Sequence, residues 1–138
     1  MLMLRLPSAL HAQILAEARG AFPNECCGLI EGERMGEAVR VTALHATANL
    51  APDPARGFEI DAAAHIRLRC ALRGTPREVV GCYHSHPNGL AGASATDRAR
   101  NRDAEPEFLW LIAAVAGDRT SLAAFAGPDF SPVAIARD

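Results

Sequence analysis

Apolar positions recur along this chain in two periods, and the switches between them lay out the elements. Over residues 7–21, Leu10, Ile14 and Ala18 return at every fourth position with Leu15 and Phe22 beside them, which predicts a helix that packs by that stripe. Pro23-Asn24 breaks the chain, and residues 25–32 run into a short strand. A second strand is predicted over 38–44, where Val39, Val41 and Ala43 alternate with polar or exposed positions. Residues 45–57 carry Asn49, Pro52, Asp53 and Pro54 and read as a surface loop, and 58–60 as a brief extended piece. Asp61 caps a second helix running to about residue 73, with Ile66 and Cys70, and with them Ala62 and Ala63, expected to face inward. The β-branched run 79–83 predicts a buried strand that Pro87 and Asn88-Gly89 terminate. A mostly charged helix near 95–103 follows, then a nearly continuous apolar run over 108–115, the mark of a central strand covered on both faces. Gly117-Asp118 turns it into a strand over 120–126, and Gly127-Pro128-Asp129 leads to a last one near 133–136. This order predicts an α/β or α+β fold, a mixed sheet with helices against it, and 138 residues suit a single domain over 1–138.

The candidate chemistry lies where the 79–83 strand ends. Side chains at i and i+2 of a strand share a face, so His84 and His86 can converge on one ion while Ser85 points the other way. Asp97 is the candidate third ligand, because Ser94-Ala95-Thr96-Asp97 reads as the first turn of a helix with Ser94 at the N-cap. Ser-x-x-Asp is also a common capping box with no metal in it. Such a box normally introduces an apolar helix, whereas the charged stretch from Arg98 to Asp103 follows here, which favours a special role for Asp97. Two imidazoles and one carboxylate form a three-ligand zinc site with water in the fourth position, the catalytic arrangement. Such a site needs a proton carrier, and no His-Glu-x-x-His supplies one. Glu25, at a helix-to-strand junction, is the preferred candidate; Glu31, Glu59, Glu78 and Glu105 stay open as alternatives.

Composition narrows the field. With 49% apolar residues, 22% charged and a formal net charge of −2, the chain reads as an ordinary soluble protein that binds no nucleic acid. Arg98, Arg100 and Arg102 cluster, but Asp97, Asp103, Glu105 and Glu107 offset them, and the group reads as a solvated face. No apolar run reaches membrane-spanning length and the N-terminus lacks an apolar leader, so a cytoplasmic protein with no membrane partner is expected. Cys26, Cys27, Cys70 and Cys82 contain no Cys-x-x-Cys and read as small buried residues in a reducing compartment. His11 and His65 fall within helices as surface or core-edge residues, His45 begins the loop and is a candidate to line a groove, and Tyr83 and Trp110 are expected in the core.

Three blocks occur in order: Pro23-Asn24-Glu25-Cys26-Cys27-Gly28-Leu29-Ile30, Gly81-Cys82-Tyr83-His84-Ser85-His86-Pro87, and Ser94-Ala95-Thr96-Asp97. Together they resemble the JAMM, or MPN-plus, zinc metallopeptidase family in its small stand-alone bacterial form, over nearly the whole chain. The resemblance implies a curved mixed sheet flanked by helices, of cytidine-deaminase-like architecture. It further implies that His84, His86 and Asp97 bind one zinc per chain with a catalytic water, that Glu25 activates that water, and that Ser94 helps hold the oxyanion. The implied reaction is hydrolysis of a peptide or isopeptide bond after the C-terminal glycine of a ubiquitin-like protein. A sulfur carrier, or an adduct at its C-terminus, is the implied partner. One departure is Gly92-Ala93 before Ser94, where family members often have proline. The competing readings are an inactive binding scaffold of the same fold, a Cys–His nucleophile using Cys27 or Cys82, and a DNA-repair-associated relative with a similar His-x-His-Pro segment. A zinc deaminase would need a Pro-Cys-x-x-Cys pair that this chain lacks.

Overall fold

The computed structural model of the chain describes residues 2–90, 92, 94–102 and 104–137. Among these the chain forms β1 (Met3–Leu6), α1 (Ser8–Ala21), β2 (Cys27–Met35), β3 (Ala38–Thr47), α2 (Ala62–Leu72), β4 (Glu78–His86), α3 (Ala95–Arg102), β5 (Leu109–Ala116), β6 (Arg119–Ala126) and β7 (Ser131–Arg137). Strand β1 is absent from the sequence expectation, since four residues are too few to display a period. Leu4 and Leu6 are nonetheless fully buried, and β1 pairs in parallel with both β3 and β7. That pairing closes a mixed sheet in the order β1-β3-β2-β4-β5-β6-β7. Strand β5 is covered on both faces as expected, buried from Leu109 to Val115, and pairs parallel to β4 on one side and antiparallel to β6 on the other; because the sheet closes, no strand is central in it.

Alternation along the strands sorts the core into two clusters. Leu109, Leu111, Ala113 and Val115 of β5 join Ile14 and Ala18 of α1, while Trp110 and Ile112 join Leu72 of α2 in the second cluster. Two glycines let the strands that lead to the histidines approach closely. A Cβ at Gly28 would lie 2.4 Å from the Tyr83 ring, and one at Gly81 would lie 2.1 Å from the Leu109 carbonyl oxygen.

Five apolar positions depart from expectation. Phe22 is 55% exposed because it lies beyond the last turn of α1, off the stripe. Ile66 is 62% exposed, and Cys70, Ala62 and Ala63 are exposed as well. Helix α2 turns Leu68 and Leu72 toward the sheet instead, on the side roughly opposite Ile66 and Cys70 at about 100° per residue. Apolar residues on both sides leave its periodicity undecided, and packing against the second cluster settles it. Cys70 is therefore not the buried thiol expected from composition. Residues 58–60 form no strand, and α3 is described as far as Arg102, Asp103 lying outside the described residues.

The buried Glu31 sits where β2 shifts register against both neighbours, between Glu31 and Gly32 on the β3 side and between Ile30 and Glu31 on the β4 side. Its carboxylate accepts from Thr42 Oγ1 at 2.7 Å and Arg77 Nη1 at 3.0 Å, and lies 3.0 Å from His45 Nε2. His45 thus belongs to β3 and serves this network, not a loop. Burial pushes the Glu31 carboxyl up, but the hydrogen bonds from Thr42, His45 and Arg77 outweigh it and hold it below its ordinary 4.5. A lowered folded value means that the ionised group stabilises the fold above about 4.5 and that this contribution fades as pH falls further. Glu31→Gln should therefore cost about 1–3 kcal/mol at neutral pH. Urea unfolding at pH 7 and pH 3 should show the wild type losing stability more steeply on acidification than the variant; parallel losses would remove Glu31 from this role.

Candidate metal centre and its cleft

Strand β4 delivers both histidines from one face, as i, i+2 spacing requires, with His84 fully buried and His86 nearly so. Ser85 turns to the opposite face, where its Oγ accepts from Cys26 N at 2.8 Å and its own N–H reaches Cys26 O at 3.1 Å. These two bonds tie the last part of β4 to the segment following Glu25. Helix α3 brings the carboxylate. Asp97 N donates to Ser94 Oγ at 3.0 Å and Ser94 N donates to Asp97 Oδ2 at 3.0 Å, so the capping box forms. The same Asp97 lies 3.1 Å from His84 Nε2 through Oδ1 and 3.3 Å from His86 Nε2 through Oδ2. The box and the cluster are one structure.

His84 Nε2 and His86 Nε2 are 3.1 Å apart, and all three residues are buried with ligand atoms turned toward one another. His86 Nδ1 lies 2.9 Å from the Leu90 carbonyl oxygen, which can only accept, so Nδ1 carries the hydrogen and a neutral ring keeps its lone pair on Nε2. His84 has no such anchor: its Nδ1 is buried and meets no hydrogen-bond partner among the described residues. Its ring is oriented by packing instead. Phe58 stacks on it at 4.2 Å with 18° between planes, and Arg100 Cζ lies 4.6 Å from the Phe58 ring centroid while its Nη1 donates to the Phe58 carbonyl. Arg100, expected on a solvated face, thus braces a histidine. Its place three residues after Asp97 on the same helix is the signal that was available. Asn101, one turn beyond Asp97, accepts from Trp110 Nε1 at 3.0 Å and donates to Gly127 O at 2.7 Å, fastening α3 to the sheet.

Burial lowers the basicity of His84. It also acts to lower His86, but the Asp97 and Leu90 hydrogen bonds outweigh it and leave that ring raised. Burial acts to raise the Asp97 carboxyl, and the hydrogen bonds from the two histidines overcome it and hold it far below the carboxylate range.

Glu25 and Ser94 border the same cleft, of about 480 Å³, as His86, Asp97, Phe58 and Arg100. Burial pushes the Glu25 carboxyl up to about 7; His86 and Arg100 work against that, and Asp97 adds to it. Its backbone is held by its N–H to Pro54 O at 2.7 Å and by Asn49 Nδ2 to its carbonyl at 3.0 Å. Asn49 also donates to Gly57 O at 2.9 Å and accepts from Glu59 N at 3.1 Å, so one amide fixes the segments on either side of Phe58 and beside Glu25. No sequence signal marked it, because its partners converge only in the fold. Of the other glutamates, Glu31 is occupied at the bulge, and Glu78 and Glu105 pair with Arg34 and Arg69. Burial pushes the Cys26 thiol up to about 11 and raises Cys27 and Cys82 too, which disfavours the thiolate that a Cys–His nucleophile at Cys27 or Cys82 would need. Ala93, where the family resemblance expects proline, lies outside the described residues.

Two buried imidazoles and a carboxylate at the edge of a cleft, on a closed mixed sheet with helices against it, define a protein of the JAB/MPN class. The chain belongs to the prokaryotic homologs of the JAB domain, the family whose profile matches residues 7–125. It is 32% identical over 137 residues to the desampylase of Haloferax volcanii, covering 96% of this chain and 95% of that protein. Among solved structures, a Desulfitobacterium hafniense protein superposes with a TM-score of 0.84 at 27% identity, covering 99% of this chain and 93% of that one. A JAB1/MPN domain protein from Archaeoglobus fulgidus shares the fold, with a TM-score of 0.64 at 16% identity and coverage of 99% and 98%.

Proposed function

We propose that residues 1–138 form a single metallopeptidase domain that hydrolyses the amide bond after the C-terminal glycine of a ubiquitin-like protein, with a sulfur carrier or its C-terminal adduct as substrate. His84, His86 and Asp97 would hold one zinc ion, Glu25 would carry the proton, and Ser94 would face the developing oxyanion. The observation that carries this reading is the buried convergence of two imidazole nitrogens and a carboxylate within 3.1–3.3 Å of one another. With its Nδ1 hydrogen on Leu90 O, a neutral His86 presents a lone pair at Nε2 beside the Asp97 carboxylate and His84 Nε2, and a cation is a partner that all three groups can share in a buried site. Two nitrogens and one oxygen suit zinc in a site with an open position. Zinc bound there supplies a Lewis acid that polarises the scissile carbonyl and makes a water easier to deprotonate near neutral pH.

The chain's own residues do the rest. Glu25, near 7, can take a proton from the attacking water and return it to the leaving amine. Ser94 Oγ spends a lone pair on Asp97 N and keeps its hydrogen to donate where negative charge develops on the carbonyl oxygen. The Arg100–Phe58 stack and the Leu90 carbonyl hold the two rings before substrate arrives. The likeness to the Haloferax desampylase supports a ubiquitin-like protein as the substrate class.

The test is elemental analysis of purified protein, followed by incubation with a Gly-Gly-tailed ubiquitin-like sulfur carrier fused to a short peptide. About one zinc per chain is expected. Mass spectrometry should find a carrier ending at its second glycine, cleavage should stop on chelation and it should return with zinc. A chain that takes up no zinc on titration would be a binding scaffold, and cleavage indifferent to a chelator but blocked by iodoacetamide would move the chemistry to a cysteine.

A further inference from the structure

Glu25 lies in the connection between α1 and β2, outside both elements, and among the described residues its carboxylate has no hydrogen-bond partner. The direction of its side chain is therefore set by its backbone. Its own N–H donates to Pro54 O at 2.7 Å. The peptide that follows is bonded at both ends: the Glu25 carbonyl accepts from Asn49 Nδ2 at 3.0 Å, and the Cys26 N–H donates to Ser85 Oγ at 2.8 Å. A peptide unit is planar, so fixing both ends fixes its plane, and with it the angle at which the Glu25 side chain leaves the backbone. Ser85 is the half of this grip that belongs to β4. It stands between His84 and His86 with its side chain on the opposite face of the strand, fully out of solvent. Its N–H donates to Cys26 O at 3.1 Å, so backbone and hydroxyl hold the same residue. The two imidazoles and the hold on the glutamate thus leave one strand side by side, and a rigid strand fixes the spacing between them.

We infer that Ser85 is a positioning residue: with Asn49 it clamps the Glu25–Cys26 peptide and so holds the Glu25 carboxylate in place against the His84–His86 pair. The inference rests on the function proposed above and adds what aims the proton carrier that this function needs. Misplacing a reacting group by about 1 Å can cost about a hundredfold in rate, so a hydroxyl turned away from both imidazoles still governs turnover through the group it holds.

The test compares Ser85→Ala with Ser85→Thr, each in the wild-type and in the Glu25→Gln background, as zinc-loaded full-length protein. The probe is a Gly-Gly-tailed ubiquitin-like sulfur carrier fused to a short peptide. Ser85→Ala removes the acceptor but keeps the backbone bond to Cys26 O, so folding and about one zinc per chain should persist. Its kcat should fall about tenfold or more, with KM within about twofold. Ser85→Thr keeps the hydroxyl, beside the small Ala113 of β5, and should recover most of that loss. In the Glu25→Gln background, Ser85→Ala should change the residual single-turnover rate by less than about twofold, because no proton carrier is left to aim. A merely structural serine would slow both backgrounds alike. Hydrogen exchange at the Cys26 amide reads the clamp without turnover: it should quicken about tenfold or more in Ser85→Ala and stay slow in Ser85→Thr. Equal losses in the two backgrounds, an unchanged kcat, loss of zinc along with the hydroxyl, a folded threonine variant as slow in turnover as alanine, or a Cys26 amide as protected in Ser85→Ala as in the wild type overturns the inference. If Ser85→Ala does not fold, Asn49→Asp enters the same two-background comparison from the other end of the peptide: it keeps acceptance from Ala51 N and Glu59 N and removes donation to Glu25 O. A zinc-loaded wild type that cleaves no such carrier overturns the proposed function and the clamp's part in it together, whereas the outcomes above, with an active wild type, overturn the clamp alone.

Discussion

Glu25→Gln is expected to keep its zinc and lose between about a hundred- and ten-thousand-fold in turnover, the usual worth of a positioned proton carrier. The amide has the carboxylate's shape, and the backbone bonds that fix this position, to Pro54 O and from Asn49 Nδ2, do not involve the side chain. What the substitution removes is the ability to take a proton. Glu25 is 7% exposed, and burial is the main reason that its carboxyl rises to about 7, so it is poised to gain and lose a proton near neutrality. Glutamine should therefore separate metal binding from chemistry. Zinc content by elemental analysis and single-turnover rates on a Gly-Gly-tailed carrier measure the two independently, and an unchanged rate with full zinc would assign the base to another group.

His84→Ala should empty the site and leave no measurable hydrolysis, because two ligands do not retain zinc against water. The residue is fully buried beneath the Phe58 ring, so its removal also opens a void and lowers stability. Asp97→Asn keeps those two effects apart. An asparagine oxygen can still accept from Ser94 N, where Asp97 Oδ2 now accepts at 3.0 Å, so the start of α3 survives while the negative charge facing both imidazoles is gone. Both variants should lose zinc in a competition titration, His84→Ala with a lower unfolding midpoint and Asp97→Asn with a midpoint close to that of the metal-free wild type. Full zinc retention in Asp97→Asn would take the carboxylate out of the ligand set.

Much of the candidate site was visible in the sequence because its spacings are short and rest on backbone geometry. His84 and His86 share a strand face whatever surrounds them, and Ser94 and Asp97 meet within one helical turn. The resemblance carried by the Glu25, His84 and Asp97 blocks agrees with the family of the chain. What reading along the chain could not reach were the residues that hold these groups still. Asn49 gathers the Glu25 carbonyl, Gly57 and Glu59, and Phe58 lies flat on His84 from 26 positions earlier in the sequence. A polar residue in a proline-rich stretch and an aromatic residue next to a glutamate look the same locally whether or not they meet a metal site.

The sequence by itself determined the order of helices and strands after β1, the burial of β5 on both faces, and the pairing of His84 with His86, since each follows from apolar period or from i, i+2 geometry. Tertiary structure decided the rest. It made a strand of Met3–Leu6, because only parallel partners on both sides could stabilise so short a segment. It chose Leu68 and Leu72 over Ile66 and Cys70 as the inner side of α2, and it laid the exposed Arg100 against Phe58 as a brace. It also lifted Glu25 toward neutrality, because desolvation depends on what the whole fold lays over a side chain and not on its neighbours in sequence.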